Sequence, residues 1–126
     1  MAEIIYKDLS YKIIGIAFTV NNLIGAGLEE KVYQTAFEEI LKQEKLVYEK
    51  ERYFPITINE KIISKKYFDF VIENKIIVEI KTGIKDYRNV CSQIFHYLKM
   101  SKLKLGIIIR FTKDGVKVKR IPNLRN

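Results

Sequence analysis

Asp69, Glu79 and Lys81 are the residues whose types and spacing could do chemistry together. Read as two strands around Asn74, the flanking segments alternate between faces. Ile76, Val78 and Ile80 point one way and Ile77, Glu79 and Lys81 the other. Before the turn, Phe68, Phe70 and Ile72 form one set and Tyr67, Asp69 and Val71 the second. Burying the two apolar sets together requires Ile72 opposite Ile76, Phe70 opposite Val78 and Phe68 opposite Ile80. Glu73-Asn74-Lys75 is then the hairpin loop, with Asn74 suited to a left-handed position. That register sets Asp69 opposite Glu79, with Lys81 further along the same face; a one-residue slip would send Asp69 to the other side. Adjacent carboxylates repel, and near a core they persist best with a cation between them. Hard oxygen ligands of this kind suit Mg²⁺ or Mn²⁺, which complete their shells with water and phosphate. The plainer alternative is a solvated sheet face on which Lys81 pairs with one acid. Against it stands position: Glu-Ile-Lys ends an otherwise apolar strand, a costly placement unless something uses it.

The elements that must hold this cluster follow from periodicity. Ile5, Leu9, Ile13, Ile16 and Val20 make a helical apolar stripe, which Asn21, Asn22, Gly25 and Gly27 are expected to break or kink. A second helix is predicted from about Leu28 to Lys45, burying Leu28, Val32, Ala36, Phe37, Ile40 and Leu41. Period-two patterns then give strands over Tyr48 to Ile58 and Lys61 to Glu73, with a turn at Asn59-Glu60, and a third over Lys75 to Lys81. Val90 to Lys102 returns to helical spacing. Leu105 to Phe111 is apolar enough for a strand covered on both faces. Asp114-Gly115 signals a tight turn before a last strand, Val116 to Ile121. The order predicts an α/β layer architecture: a mixed sheet with helices packed on it, in one domain over residues 1–126, with tails at 1–7 and 122–126.

Composition narrows the partners. The chain of 126 residues carries a formal net charge of +8, which favours polyanions, because each neutralised phosphate releases condensed counterions. Lysines group at Lys61, Lys65 and Lys66, at Lys99, Lys102 and Lys104, and at Lys113, Lys117 and Lys119 with Arg120, so the last strand's outward face is expected to be strongly positive. Cys91 is the single cysteine; it permits no intrachain disulfide and fits a reducing cytoplasm. His96 is the single histidine and is assigned no role. No apolar run is long enough to span a bilayer, and no signal peptide is read, so a membrane partner is not expected.

The motifs also carry a resemblance. Asp69 followed by Glu79-Ile80-Lys81 resembles the Asp…Glu-x-Lys signature of the PD-(D/E)XK nuclease superfamily. Gly27-Leu28-Glu29-Glu30-Lys31-Val32-Tyr33 resembles the Gly-x-x-Glu-x-x-Tyr motif of its GxxExxY branch. Val78-Glu79-Ile80-Lys81, Gln93 to Leu98 and Leu105-Gly106-Ile107-Ile108-Ile109 fit that branch's later blocks in order, so the likeness runs from Leu9 to Ile121. The Pro that often precedes the first Asp is replaced by Phe68. The resemblance implies a restriction-endonuclease-like core, a mixed sheet of about five strands flanked by helices, with an extra N-terminal helix. It implies a deoxyribonuclease dependent on Mg²⁺ or Mn²⁺, with DNA as partner and room for a homodimer. Asp69 and Glu79 would ligate the metal, Lys81 would position the attacking water and stabilise phosphorane charge, and Glu30 would be a further acid and metal ligand. Gln93 and Tyr97, spaced like the Gln-x-x-x-Tyr motif of RecB-like nucleases, would touch substrate. Tyr33 shares a helical face with Glu30 and is carried as a substrate-binding candidate, against a plain reading as a core-edge tyrosine. Glu30 has its own plain reading, a helix-start acid facing solvent. Two other functions compete: a nucleic-acid-binding module of nuclease fold without turnover, and a basic protein-interaction domain.

Overall fold

The computed structural model describes residues 4–83 and 87–123. Helices α1 (Lys7–Ile24) and α2 (Glu30–Gln43) precede strands β1 (Tyr48–Ile58), β2 (Lys61–Ile72) and β3 (Ile76–Lys81); helix α3 (Tyr87–Ser101), β4 (Leu105–Thr112) and β5 (Gly115–Pro122) follow. The strands form one mixed sheet in the order β1-β2-β3-β4-β5. Only β3 and β4 are parallel; the other neighbours are antiparallel. A parallel pair needs a crossover, and α3 supplies it.

Strand alternation divides the core into two layers. Phe70, Ile72, Ile76, Val78, Ile80, Ile107 and Ile109 pack against Ile13, Val20, Phe37 and Leu41 of α1 and α2. Phe68, Val71, Ile77 and Ile108 face Val90, Ile94, Tyr97 and Leu98 of α3. The central strands are therefore covered on both sides, as the apolar run of β4 predicts. The close approach of α3 to β4 depends on Gly106, where an added Cβ would collide with the Ile94 side chain. No helix of the described residues is long and apolar enough to cross a membrane.

Four expectations need correction. Helix α1 runs through Asn21 and Asn22 and stops at Gly25, whose φ is 74°. Leu28 lies before α2, and both it and Val32 are exposed while Tyr33 is fully buried, because the helix turns its Tyr33, Phe37, Ile40 and Leu41 face inwards. Arg120 does not join the positive face of β5. It lies on the side of Val116 and Val118, where its guanidinium donates to Ser10 Oγ at 3.1 Å and to the Ile5 carbonyl at 2.7 Å, tying β5 to α1. Residues 122 and 123, expected in a tail, continue the fold: Pro122 pairs with Leu105 and the Asn123 N–H donates to the Lys104 carbonyl. Of the expected tails, residues 1–3 and 124–126 lie outside the described residues.

Candidate active site

The β2–β3 hairpin has the register that hydrophobic matching requires, with Ile72 opposite Ile76 and Phe70 opposite Val78. Its loop places Glu73 and Asn74 at φ 54° and 53°. Beyond Phe70 the strands separate and side chains take over from the ladder. The Asp69 N–H donates to Glu79 Oε1 at 2.9 Å, and the Ile80 N–H donates to Asp69 Oδ2 at 2.7 Å. Each carboxylate thus caps a backbone group of the opposite strand, which satisfies the N–H groups exposed where the strands part. The matching irregularity on β1 is Glu51, at φ 53°, between the Lys50–Phe70 and Arg52–Phe68 pairs. Here the alternation of β2 changes phase, so Phe68 does not sit opposite Ile80 as expected but packs in the α3 layer.

Asp69 and Glu79 are held in low-dielectric surroundings. Glu79 is 2% exposed. Its Oε2 lies 3.7 Å from Lys81 Nζ and 3.6 Å from Lys66 Nζ. Gln34 Nε2 donates to Asp69 Oδ1 at 3.1 Å. Burial, and next the charge of Glu79, push the Asp69 carboxyl up from its ordinary 3.8 to about 7; the Ile80 N–H bond, Lys81 and Gln34 oppose the rise. A divalent cation would relieve both causes, because it replaces lost hydration and screens one carboxylate from the other. The donor set fits Mg²⁺ or Mn²⁺: two hard, preoriented carboxylates, with the other places left for water and phosphate.

The remaining sequence candidates are distributed unevenly. Glu30, at the start of α2, lines a cleft of about 460 Å³ with Lys81, Thr82, Gly83, Asn89, Val90 and Gln93. It does not close into one cluster with the two acids of the hairpin: among the described residues no three His, Cys, Asp or Glu side chains gather to hold an ion. Gln34, one helical turn beyond Glu30, is the α2 side chain that reaches Asp69. Gln93 and Tyr97 both line a second cleft of about 380 Å³, with Ile56, Ser64, Lys65, Lys66, Ser92 and His96. Tyr97 is nearly buried and meets Phe54 and Phe68 edge-on. Tyr33 lies in the core. Its ring is fully buried and stacks on Phe111 at 4.3 Å, and its hydroxyl donates to the Gly25 carbonyl at 2.6 Å, fastening the α1–α2 turn.

Two contacts of the site escape a sequence reading. Gln34 carried a usable signal, the one-turn spacing from Glu30. Lys66 carried a misleading one, since regular alternation places it on the face opposite Glu79. The phase change at Asp69 reverses that, and Lys66 Nζ lies over the Phe68 ring at 5.3 Å on the α3 side.

A model of the PD-(D/E)XK nuclease superfamily matches residues 7–121. No curated protein matches the chain significantly by sequence. Among solved structures, the crystal structure of SSO0001 is similar with a TM-score of 0.58 and 23% identity, over 76% of this chain and 50% of that one. At that identity the likeness is one of fold, and the chain spans about half the length of SSO0001. The five-stranded mixed sheet flanked by helices is the restriction-endonuclease-like arrangement. With the match extending over nearly all of its elements, the chain belongs to the PD-(D/E)XK nuclease superfamily.

Proposed function

We propose that the chain is a Mg²⁺- or Mn²⁺-dependent nuclease that hydrolyses phosphodiester bonds in DNA, and that it stands in the GxxExxY branch of its superfamily. The observation that carries the reading is the reciprocal clasp of Asp69 and Glu79 with Lys81 on Glu79. A carboxylate pair with Glu79 buried and Asp69 half-buried is expensive to keep for stability alone. In this reading Asp69 and Glu79 would hold the ion, and Glu30, on the wall of the cleft that Lys81 also lines, would act through water. The ion supplies Lewis-acid stabilisation of phosphate charge and makes water more acidic. Gln34 fixes the Asp69 carboxylate, so little reorganisation is needed when phosphate arrives. Lys81 presents its ammonium to the non-bridging oxygens, where negative charge grows during attack. Gln93, on the cleft wall, donates to the substrate strand.

The branch assignment draws support from Gly27, whose φ of 89° suits glycine, and from Glu30 and Tyr33, which serve the cleft and the core respectively. The test is incubation of plasmid, linear and single-stranded DNA, and of RNA, with Mg²⁺ or Mn²⁺. The expected result is cleavage abolished by EDTA and reduced at least about 100-fold in Glu79→Ala and Lys81→Ala. Undiminished cutting by either variant would remove that residue from the mechanism. Salt-sensitive binding indifferent to EDTA, without cleavage, would mean a binding module instead.

A further inference from the structure

The buried Glu79 carboxylate has two ammonium partners on one oxygen, Lys81 at 3.7 Å and Lys66 at 3.6 Å. In the free site the two ammoniums balance the two carboxylates of Asp69 and Glu79; a divalent ion on those acids would leave both lysines available to anions. The two lysines also belong to different cavities. Lys81 lines the cleft shared with Glu30, whereas Lys66 lines the one between the β1–β2 hairpin and α3. Gln93 lines both, so the cavities adjoin there, and the buried Glu79 is tied to each through one of its two lysines. Their volumes of about 460 and 380 Å³ each suit a ligand the size of one nucleotide. The Phe68 ring beneath Lys66 Nζ keeps that ammonium on the cleft side.

We propose that Lys66 is a second substrate-binding lysine of this site, gripping a backbone phosphate beside the scissile one, and that the substrate is a nucleic-acid strand laid across both clefts over Gln93. The substrate class rests on the nuclease reading; the role of Lys66 as a phosphate ligand is tested separately from turnover. Binding of a short labelled single-stranded DNA is followed by fluorescence anisotropy over a salt series, without metal, for the wild type, Lys66→Ala, Lys66→Gln and Lys66→Arg. Loss of one phosphate contact lowers the slope of log K against log salt by about 0.7 in Lys66→Ala and Lys66→Gln, and Lys66→Arg restores it. In cleavage assays the same two variants raise KM about tenfold with kcat within about threefold of wild type, whereas Lys81→Ala lowers kcat. Slope change in a wild type that binds but does not cut still supports the phosphate contact and removes only the hydrolase reading. A wild-type slope in Lys66→Ala and Lys66→Gln overturns the proposal, as does loss of kcat with slope and KM unmoved, which would make Lys66 a prop for Glu79. Failure of the wild type to bind any strand overturns it too.

Discussion

The Asp69 carboxyl is costly to ionise where the fold puts it, and that sets a pH dependence. With its pKa raised from 3.8 to about 7, the folded protein holds a proton between those values that the unfolded chain has released. Metal-free stability therefore falls as pH rises through that interval, and the full cost is present above pH 7. Asp69→Asn, which cannot ionise, should be more stable than wild type at pH 8 without metal, by on the order of 2 kcal/mol in unfolding free energy. The gap should narrow as pH approaches 4, and adding Mg²⁺ at pH 8 should raise the melting temperature of the wild type but not of the variant. A gap of constant size across pH would remove the ionisation argument. Tyr33 allows a contrasting test. Its hydroxyl serves the Gly25 carbonyl, so Tyr33→Phe should cost about 1 kcal/mol in urea denaturation and leave the rate per folded molecule unchanged; a large loss of kcat would return Tyr33 to the substrate site.

At the scale of elements, two devices aim the site. The first is the separation of β2 from β3, at which Asp69 and Glu79 take up each other's strand. The second is the seating of α3, which carries Gln93 and Tyr97, against β4. Gly106 makes that contact, because a side chain there would meet the fully buried Ile94. Gly106→Ala should destabilise by about 1–3 kcal/mol through overpacking. It should also weaken DNA binding by displacing Gln93, the neighbour of Ile94; denaturation and anisotropy would measure the two effects, and wild-type stability would refute the packing account. The helices and strands themselves were legible, since apolar periodicity survives where burial is one-sided. The phase change at Asp69 was not, because nothing in the alternation of Tyr67 to Val71 announces it, and its counterpart is a positive φ at Glu51 of another strand.

Across the whole molecule, charge collects along a line that only the register reveals. Lys81 pairs with Arg110, and Arg110 with Lys117, so three cations stand in one row across β3, β4 and β5. Arg110 lies over the Tyr87 ring of α3 at 4.5 Å, which places the row on the α3 side of the sheet. With a net charge of +8, this row extends a positive track from the candidate site towards the far sheet edge. Lys117→Glu, an exposed change remote from the carboxylates, should weaken DNA binding several-fold at low salt and converge on wild type as salt screens the field. Equal affinities at low salt would show that the track ends at Lys81.

The acid pair, its lysine and the hairpin loop were contained in the chain itself, because hydrophobic matching leaves a single register that buries Phe70 and Ile72 against Val78 and Ile76, and periodicity gave the element order. Tertiary structure alone decided which neighbours complete the cluster. Gln34 arrives from a helix and Lys66 from a strand whose pleat has shifted, while Glu30 stays on the cleft wall and Tyr33 is drawn into the core. Local alternation reports the face a side chain takes on a regular strand; contacts between elements, and the irregularities that permit them, follow from how the layers pack.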